Sequence, residues 1–132
     1  MQADEEVALW PTVKQAEAIR TGAITSRGLL ELLIARTERL NPQLNAVITL
    51  DQERARAAAD AADAALARGE AVGPLHGVPI TIKDALETEG LRSTGGAVEL
   101  HNNIPDRDAP VVRAVKDAGA IVFGKTNLPR WS

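Results

Sequence analysis

Lys83 is the residue whose type and position best suit chemistry. A lysine removed from water can lose its proton and serve as a base, whereas an arginine stays protonated. Lys83 follows the apolar run at residues 78–82, which predicts a strand. Ligands bind at the carboxyl ends of strands in open α/β sheets. We therefore identify Lys83 as a candidate general base; the alternative is a side chain that reaches solvent or pairs with Asp84.

A second lysine, Lys125, lies in a segment that spells a phosphate-binding motif. Residues 119–126 read GAIVFGKT and match G-x-x-x-x-G-K-S/T. That motif requires a strand before the first glycine, a loop between the glycines and a helix after the lysine. Here a predicted helix precedes Gly119, and residues 120–123 are apolar enough to form a buried strand. We therefore predict a strand in this segment and no nucleotide binding.

The remaining polar candidates give weaker signals. His76 and His101 lie in separate loops without metal-ligand spacing, so we expect neither a metal site nor a cofactor. His76 is predicted to be a hydrogen-bonded turn residue. Ser93 and Thr94 could offer hydroxyl groups, but they are also ordinary turn residues. Because no serine has a base close to it in sequence, spacing alone assigns no nucleophile.

The first half of the chain is predicted to be helical. One helix covers residues 11–20, and a second begins at Thr25 or Ser26. The second should end near Arg39, because the residue before Pro42 is disfavoured in a helical conformation. A short strand at residues 46–50 follows. Asp51 is then predicted to cap a long alanine-rich helix that ends near Arg68.

The second half changes character. We predict a strand at residues 78–82, loops over residues 84–108, a helix at residues 109–118 capped by Asp108, and a buried strand at residues 120–123. The order strand, helix, strand favours parallel pairing in an α/β fold. Two or three strands cannot form a covered parallel sheet. We therefore expect the chain to be a fragment of a larger fold.

Composition argues against several classes of protein. The net charge of −3 does not suit a nucleic-acid or anionic membrane surface. No apolar run approaches the ~20 residues of a membrane span. The acidic N-terminus lacks the features of a signal peptide, and the absence of cysteine is compatible with the cytoplasm. We therefore expect a cytoplasmic protein with no direct nucleic-acid or membrane partner.

Several ordered blocks resemble one known family. Residues 73–84, GPLHGVPITIKD, look like the lysine motif of the amidase-signature family, and residues 93–96, STGG, resemble the small-residue turn that follows it. Residues 108–112 and 118–127 resemble the next two blocks, in the family's order and spacing. The helical first half is similar to the family's N-terminal arm. The resemblance therefore implies that residues 1–132 are the N-terminal part of one larger domain, with residues 1–70 as a helical arm and residues 71–132 as the start of the α/β core. The resemblance thus covers nearly the whole chain.

The resemblance implies an amidase with a Ser-cisSer-Lys triad on a mixed, mainly parallel sheet flanked by helices. Such an enzyme cleaves a non-peptide carboxamide C–N bond through an acyl-enzyme. Only the lysine transfers, onto Lys83; both serines are expected after residue 132, so the chain alone is predicted to be inactive. The expected partners are a small-molecule amide substrate and the remaining C-terminal part of the domain, and a homodimer is also compatible.

Two alternatives stay open. The first is an amidotransferase of the A type that acts on misacylated tRNA, which would need a partner subunit. The second is a non-catalytic, truncated assembly module that keeps the first part of the fold. A glycine- and serine-rich block in the coding sequence after Ser132 would separate the enzyme from the assembly module.

Overall fold

The computed structural model describes residues 2–132, with side chains from residue 5 onward. This part of the chain contains both helices and strands. The elements, in chain order, are α1 (Gln2–Ala8), α2 (Thr12–Arg20), α3 (Ser26–Leu44), β1 (Val47–Leu50), α4 (Gln52–Ala67), β2 (Pro79–Lys83), a 3₁₀ turn (Val98–Leu100), α5 (Pro110–Asp117) and β3 (Ile121–Thr126). None of the helices in this part of the chain has the combined length and hydropathy that a membrane span requires.

The three strands form one mixed sheet with the order β1-β3-β2. β3 is central and runs parallel to β2, with Lys83 paired to Thr126. β1 pairs with the other side of β3 in the antiparallel direction, with Thr49 opposite Lys125. The predicted parallel pair and the α/β class are therefore confirmed, and β1, from the helical first half, is the third strand of this sheet.

The largest apolar cluster joins α3 and α4 to the central strand. Leu30 and Ile34 from α3 meet Ala55 and Ala59 from α4 and Phe123 from β3, and all five are buried. Alanine side chains add little bulk between helix and sheet, so the α4 backbone can approach closely. The predicted Asp51 cap of α4 is confirmed, since its carboxylate accepts a hydrogen bond from the Arg54 amide. This cluster fixes β3, and β3 in turn fixes the edge at which Lys83 lies.

The predicted end of α3 near Arg39 is wrong, because the helix continues through Pro42 to Leu44. Two local contacts compensate for the amide that proline lacks. Asn45 adopts a left-handed conformation with φ of 48° and donates its amide to the Asn41 carbonyl. The Asn41 side chain also exchanges two hydrogen bonds with the Val47 backbone. These contacts stabilise the last turn and lead the chain directly into β1.

The predicted capping role of Asp108 is also wrong. Ala109 is the N-cap of α5 and makes no side-chain cap. The Asp108 carboxylate instead accepts two hydrogen bonds from Lys116 Nζ, both 2.8 Å, and one from the Glu89 amide. Its side chain is only 4% exposed. Asp108 therefore connects α5 to the preceding loop instead of capping the first turn of the helix.

Candidate active site

Lys83 is the last residue of β2, as the sequence predicts, and lies beside Thr126 near the carboxyl end of β3. Its side chain is exposed, so the expected desolvation is not seen within this chain. Its Nζ atom is 3.5 Å from Ser132 Oγ, at the outer limit of a hydrogen bond. The amine is therefore presented at the sheet edge, free of a close ionic partner among the described residues.

The backbone around Lys83 is held more firmly than its side chain. The Lys83 carbonyl accepts a hydrogen bond from the Leu86 amide at 3.0 Å, which closes a tight turn. The Asp84 amide donates to the Thr126 carbonyl, and the Asp84 carbonyl accepts from the Gly95 amide, each at 3.0 Å. Because these bonds fix the turn on both sides, the direction in which Lys83 leaves the sheet is set by the backbone.

Lys125 lies beneath this turn and is fully buried. Its Nζ atom donates to the Leu86 carbonyl at 2.8 Å and to Ser93 Oγ at 2.7 Å. The same atom is 3.7 Å from Asp84 Oδ1, which makes an ion pair but not a hydrogen bond. Burial lowers the pKa of the Lys125 ammonium, and the Asp84 carboxylate opposes that change.

Asp84 is the acidic member of this cluster and is equally buried. Its Oδ2 atom accepts hydrogen bonds from the Thr94 amide, at 3.0 Å, and from the Thr94 hydroxyl. Its Oδ1 atom faces Lys125 and has no hydrogen-bond partner among the described residues. The alternative in which Lys83 pairs with Asp84 is not what the structure has, because Asp84 pairs with Lys125. Ser93 and Thr94, open candidates from sequence, are both used to hold this internal pair.

The phosphate-motif residues have structural roles. β3 occupies the span that would have to be a loop, which confirms the predicted strand. Gly119 adopts a φ of +102°, and a Cβ there would lie 2.6 Å from His76 Cα. A Cβ at Gly124 would lie 2.7 Å from the Thr49 carbonyl oxygen. Both glycines are therefore required by close backbone contacts, and Lys125 is committed to the buried cluster.

One ring nitrogen of each histidine lies within hydrogen-bond distance of a backbone carbonyl. His76 Nε2 lies 2.9 Å from the Ala62 carbonyl, as expected of a turn histidine, and His101 Nδ1 lies 2.7 Å from the Val98 carbonyl. Among the described residues, no cluster of three or more histidine, aspartate or glutamate side chains could hold a metal ion.

Sequence reasoning did not anticipate the role of Lys125. A signal was present, because Asp84 and Lys125 fall near the carboxyl ends of two strands predicted to be parallel. Such ends meet at the same edge of a sheet. Because Lys125 follows the apolar core of its strand, its ammonium would be buried and would need an acidic partner. Asp84 lies at the same edge and could supply the carboxylate.

The amino-acid sequence is similar to those of known proteins. The family model described as Amidase matches residues 28–132. An indoleacetamide hydrolase of Bradyrhizobium diazoefficiens is 46% identical over 123 residues, covering 93% of this chain and 24% of that protein. The A-type chain of a glutamyl-tRNA(Gln) amidotransferase from Halorhodospira halophila is 46% identical over 115 residues, covering 87% of this chain and 24% of that protein.

A solved structure extends the agreement to three dimensions. The native peptide amidase of Stenotrophomonas maltophilia superposes with a TM-score of 0.86 and 33% identity. The match covers 94% of this chain and 26% of that protein. The chain thus spans about a quarter of the length of the relatives it matches.

Proposed function

The chain belongs to the amidase family, and on that premise we propose that the whole protein hydrolyses the C–N bond of a small carboxamide with Lys83 as its base. The observation that carries the proposal is the placement of Lys83. It ends β2 at the carboxyl edge of the parallel pair, and its amine is exposed on a backbone held by three hydrogen bonds. Such an amine is available to a hydroxyl supplied by the rest of the domain.

The proposed chemistry proceeds through an acyl-enzyme. Acting as a base, Lys83 accepts a proton, through a serine in a cis peptide, from the hydroxyl of a nucleophilic serine. That oxygen attacks the carboxamide carbon, and the proton passes to the departing nitrogen as the C–N bond breaks. Water then attacks the ester, which releases the carboxylate and regenerates the serine. By resemblance, both serines follow residue 132.

The amidotransferase alternative is supported by an equal identity. The indoleacetamide hydrolase and the A-type amidotransferase chain are each 46% identical to this chain. Both proposals begin with cleavage of an amide, so they share the role of Lys83 and differ in the fate of the nitrogen. A hydrolase would release it to solvent without a partner, whereas an amidotransferase would need partner subunits and a misacylated tRNA. The assembly-module alternative predicts no amide cleavage.

The test is hydrolysis of a simple aryl amide by the whole protein and its variants. We expect Lys83→Ala to lower kcat by about 10²- to 10⁴-fold, the usual contribution of a general base. Lys83→Arg should not restore the rate, since a guanidinium stays protonated at neutral pH. The 132-residue chain alone should show no turnover.

Two matched controls accompany these variants. Lys14→Ala removes another exposed lysine, on α2, and should leave kcat unchanged. Ser132→Ala should also keep its rate, because the contact of this serine with Lys83 is long and exposed. Near-normal rates for Lys83→Ala, or clear turnover by the chain alone, would contradict the proposal.

A further inference from the structure

We propose that Lys125 is a positioning residue for Lys83, and that it acts through the turn that follows β2. The inference rests on the proposed function, because it assigns Lys125 to the reaction for which Lys83 is the base. Lys125 itself is fully buried and touches no solvent from which a substrate could approach. Its effect on the reaction must therefore pass through the residues that it holds.

One route from Lys125 to Lys83 runs through Leu86. Lys125 Nζ donates to the Leu86 carbonyl at 2.8 Å, and the Leu86 amide donates to the Lys83 carbonyl at 3.0 Å. The first of these bonds has an ionised donor when the amine is protonated, which makes it stronger than a neutral bond. Two consecutive hydrogen bonds thus connect the buried ammonium to the backbone of the exposed lysine.

A second route runs through Asp84, the residue that follows Lys83 in the chain. Its carboxylate lies between Lys125 on one side and Thr94 on the other. Its amide and carbonyl bond to Thr126 and Gly95. Because Lys83 and Asp84 share a peptide bond, a tilt of that peptide plane would change the backbone angles of both residues and so the direction of the Lys83 side chain.

Stability alone is a weak reason for this arrangement. Taking an ammonium and a carboxylate out of water is costly, and replacing a buried ion pair with apolar residues is often neutral or stabilising. Here the ammonium does what an apolar side chain cannot do, since it binds the Leu86 carbonyl and Ser93 Oγ together. A fixed direction for Lys83 is the benefit that matches these contacts.

The experiment compares the whole protein with four variants, measuring kcat, KM and the thermal midpoint. Lys125→Met removes the ammonium at similar length, and Lys125→Met with Asp84→Asn also removes the carboxylate that would be left buried and unpaired. Val112→Ala is the matched control, because Val112 is fully buried in α5 and outside the turn. Lys83→Ala reports on the proposed function itself.

We expect Lys125→Met to lower kcat by about tenfold or more with little change in KM, because small displacements of a reacting group cost roughly 10- to 100-fold. The double variant should regain thermal stability but not kcat. Val112→Ala should lose stability and keep kcat. Should Lys125→Met not fold, the double variant decides the question.

A double variant with wild-type kcat, beside an inactive Lys83→Ala enzyme, would overturn the positioning role and leave the proposed function intact. If Val112→Ala lost as much kcat as Lys125→Met for a similar loss of thermal stability, the positioning role would be overturned equally. Near-normal activity of Lys83→Ala would overturn the proposed function, and the positioning role with it.

Discussion

Lys83 and Lys125 lie on adjacent parallel strands, one residue apart in register, and their side chains have opposite environments. Ile82, the residue before Lys83, is the registered partner of Lys125. The Lys83 amine is exposed, whereas the Lys125 ammonium is fully buried beside Asp84. The carboxyl ends of β2 and β3 therefore carry one exposed lysine, Lys83, and one buried lysine, Lys125, whose amine is used in internal contacts.

The buried state of Lys125 leads to a prediction about nucleotides. Because its Nζ atom is bonded to Leu86 and Ser93 and β3 uses the intervening backbone, we expect no binding of ATP with magnesium. Isothermal titration calorimetry of the chain would measure this. Micromolar binding that disappears in Lys125→Ala would contradict this prediction and show that residues 119–126 bind phosphate.

Gly119→Ala should destabilise the chain more than Gly22→Ala. Both glycines have positive φ, +102° and +79°, but only at Gly119 would a Cβ meet backbone, 2.6 Å from His76 Cα. Nothing lies within 4 Å of the Cβ position at Gly22. We expect the alanine at position 22 to lower the free energy of unfolding by about 1 kcal/mol through backbone strain. At position 119 the decrease should be larger by at least about 2 kcal/mol. Urea unfolding measures both, and equal losses would contradict the contact argument.

The ionisation of Glu31 should make part of the free energy of unfolding depend on pH. Hydrogen bonds from Arg56 and Arg27 lower the pKa of Glu31 from 4.5 to about 2. Since the folded pKa is depressed, the contribution is present above pH 4.5 and is lost as pH falls towards 2. The Glu31 side chain is 39% exposed, so solvent screening limits the effect to about 1 kcal/mol or less.

Urea unfolding at about pH 7 and about pH 3, on either side of the unfolded pKa, checks this dependence. Glu31→Gln should show a smaller loss of stability between the two pH values than the unmodified chain. Glu17→Gln is the control, because Glu17 is 69% exposed and its ion pair with Arg20 is 3.6 Å long. Equal acid sensitivity of Glu31→Gln and the unmodified chain would exclude the Arg–Glu–Arg contact as a cause.

The isolated 132-residue chain should self-associate or be only marginally stable. β1 and β2 are both edge strands, and large apolar side chains are exposed, among them Val13 at 77% and Val98 at 80%. Exposed apolar surface and unpaired strand edges favour association. Sedimentation velocity should show oligomers that diminish in Val98→Glu. A monodisperse monomer with one sharp thermal transition would count against this expectation.

The sequence predicted those features that depend on neighbouring residues. The order of the main helices and strands, the Asp51 cap, the parallel pair and the position of Lys83 follow from local patterns of apolar residues, caps and turns.

The features that sequence reasoning missed depend on particular hydrogen-bond partners, from 6 to 39 positions away in the chain, which cap and turn patterns do not specify. Asp108 is a strong helix cap by type, but Lys116 and the Glu89 amide bind it instead. Lys125 donates hydrogen bonds to Ser93 and Leu86, which precede it by 32 and 39 positions, so no local sequence pattern predicts its burial. α3 continues past Pro42 because Asn41 finds hydrogen-bond partners at Val47.

The central position of β3 sets an order of events during synthesis. Within residues 2–132, β1 and β2 are not neighbours in the sheet, and each pairs with β3, which leaves the ribosome after both of them. Until residues 121–126 emerge, the two earlier strands have no ladder to join, so the sheet forms late from contacts that are far apart in sequence. The edge that carries Lys83 is therefore assembled only when the segment that contains Lys125 arrives.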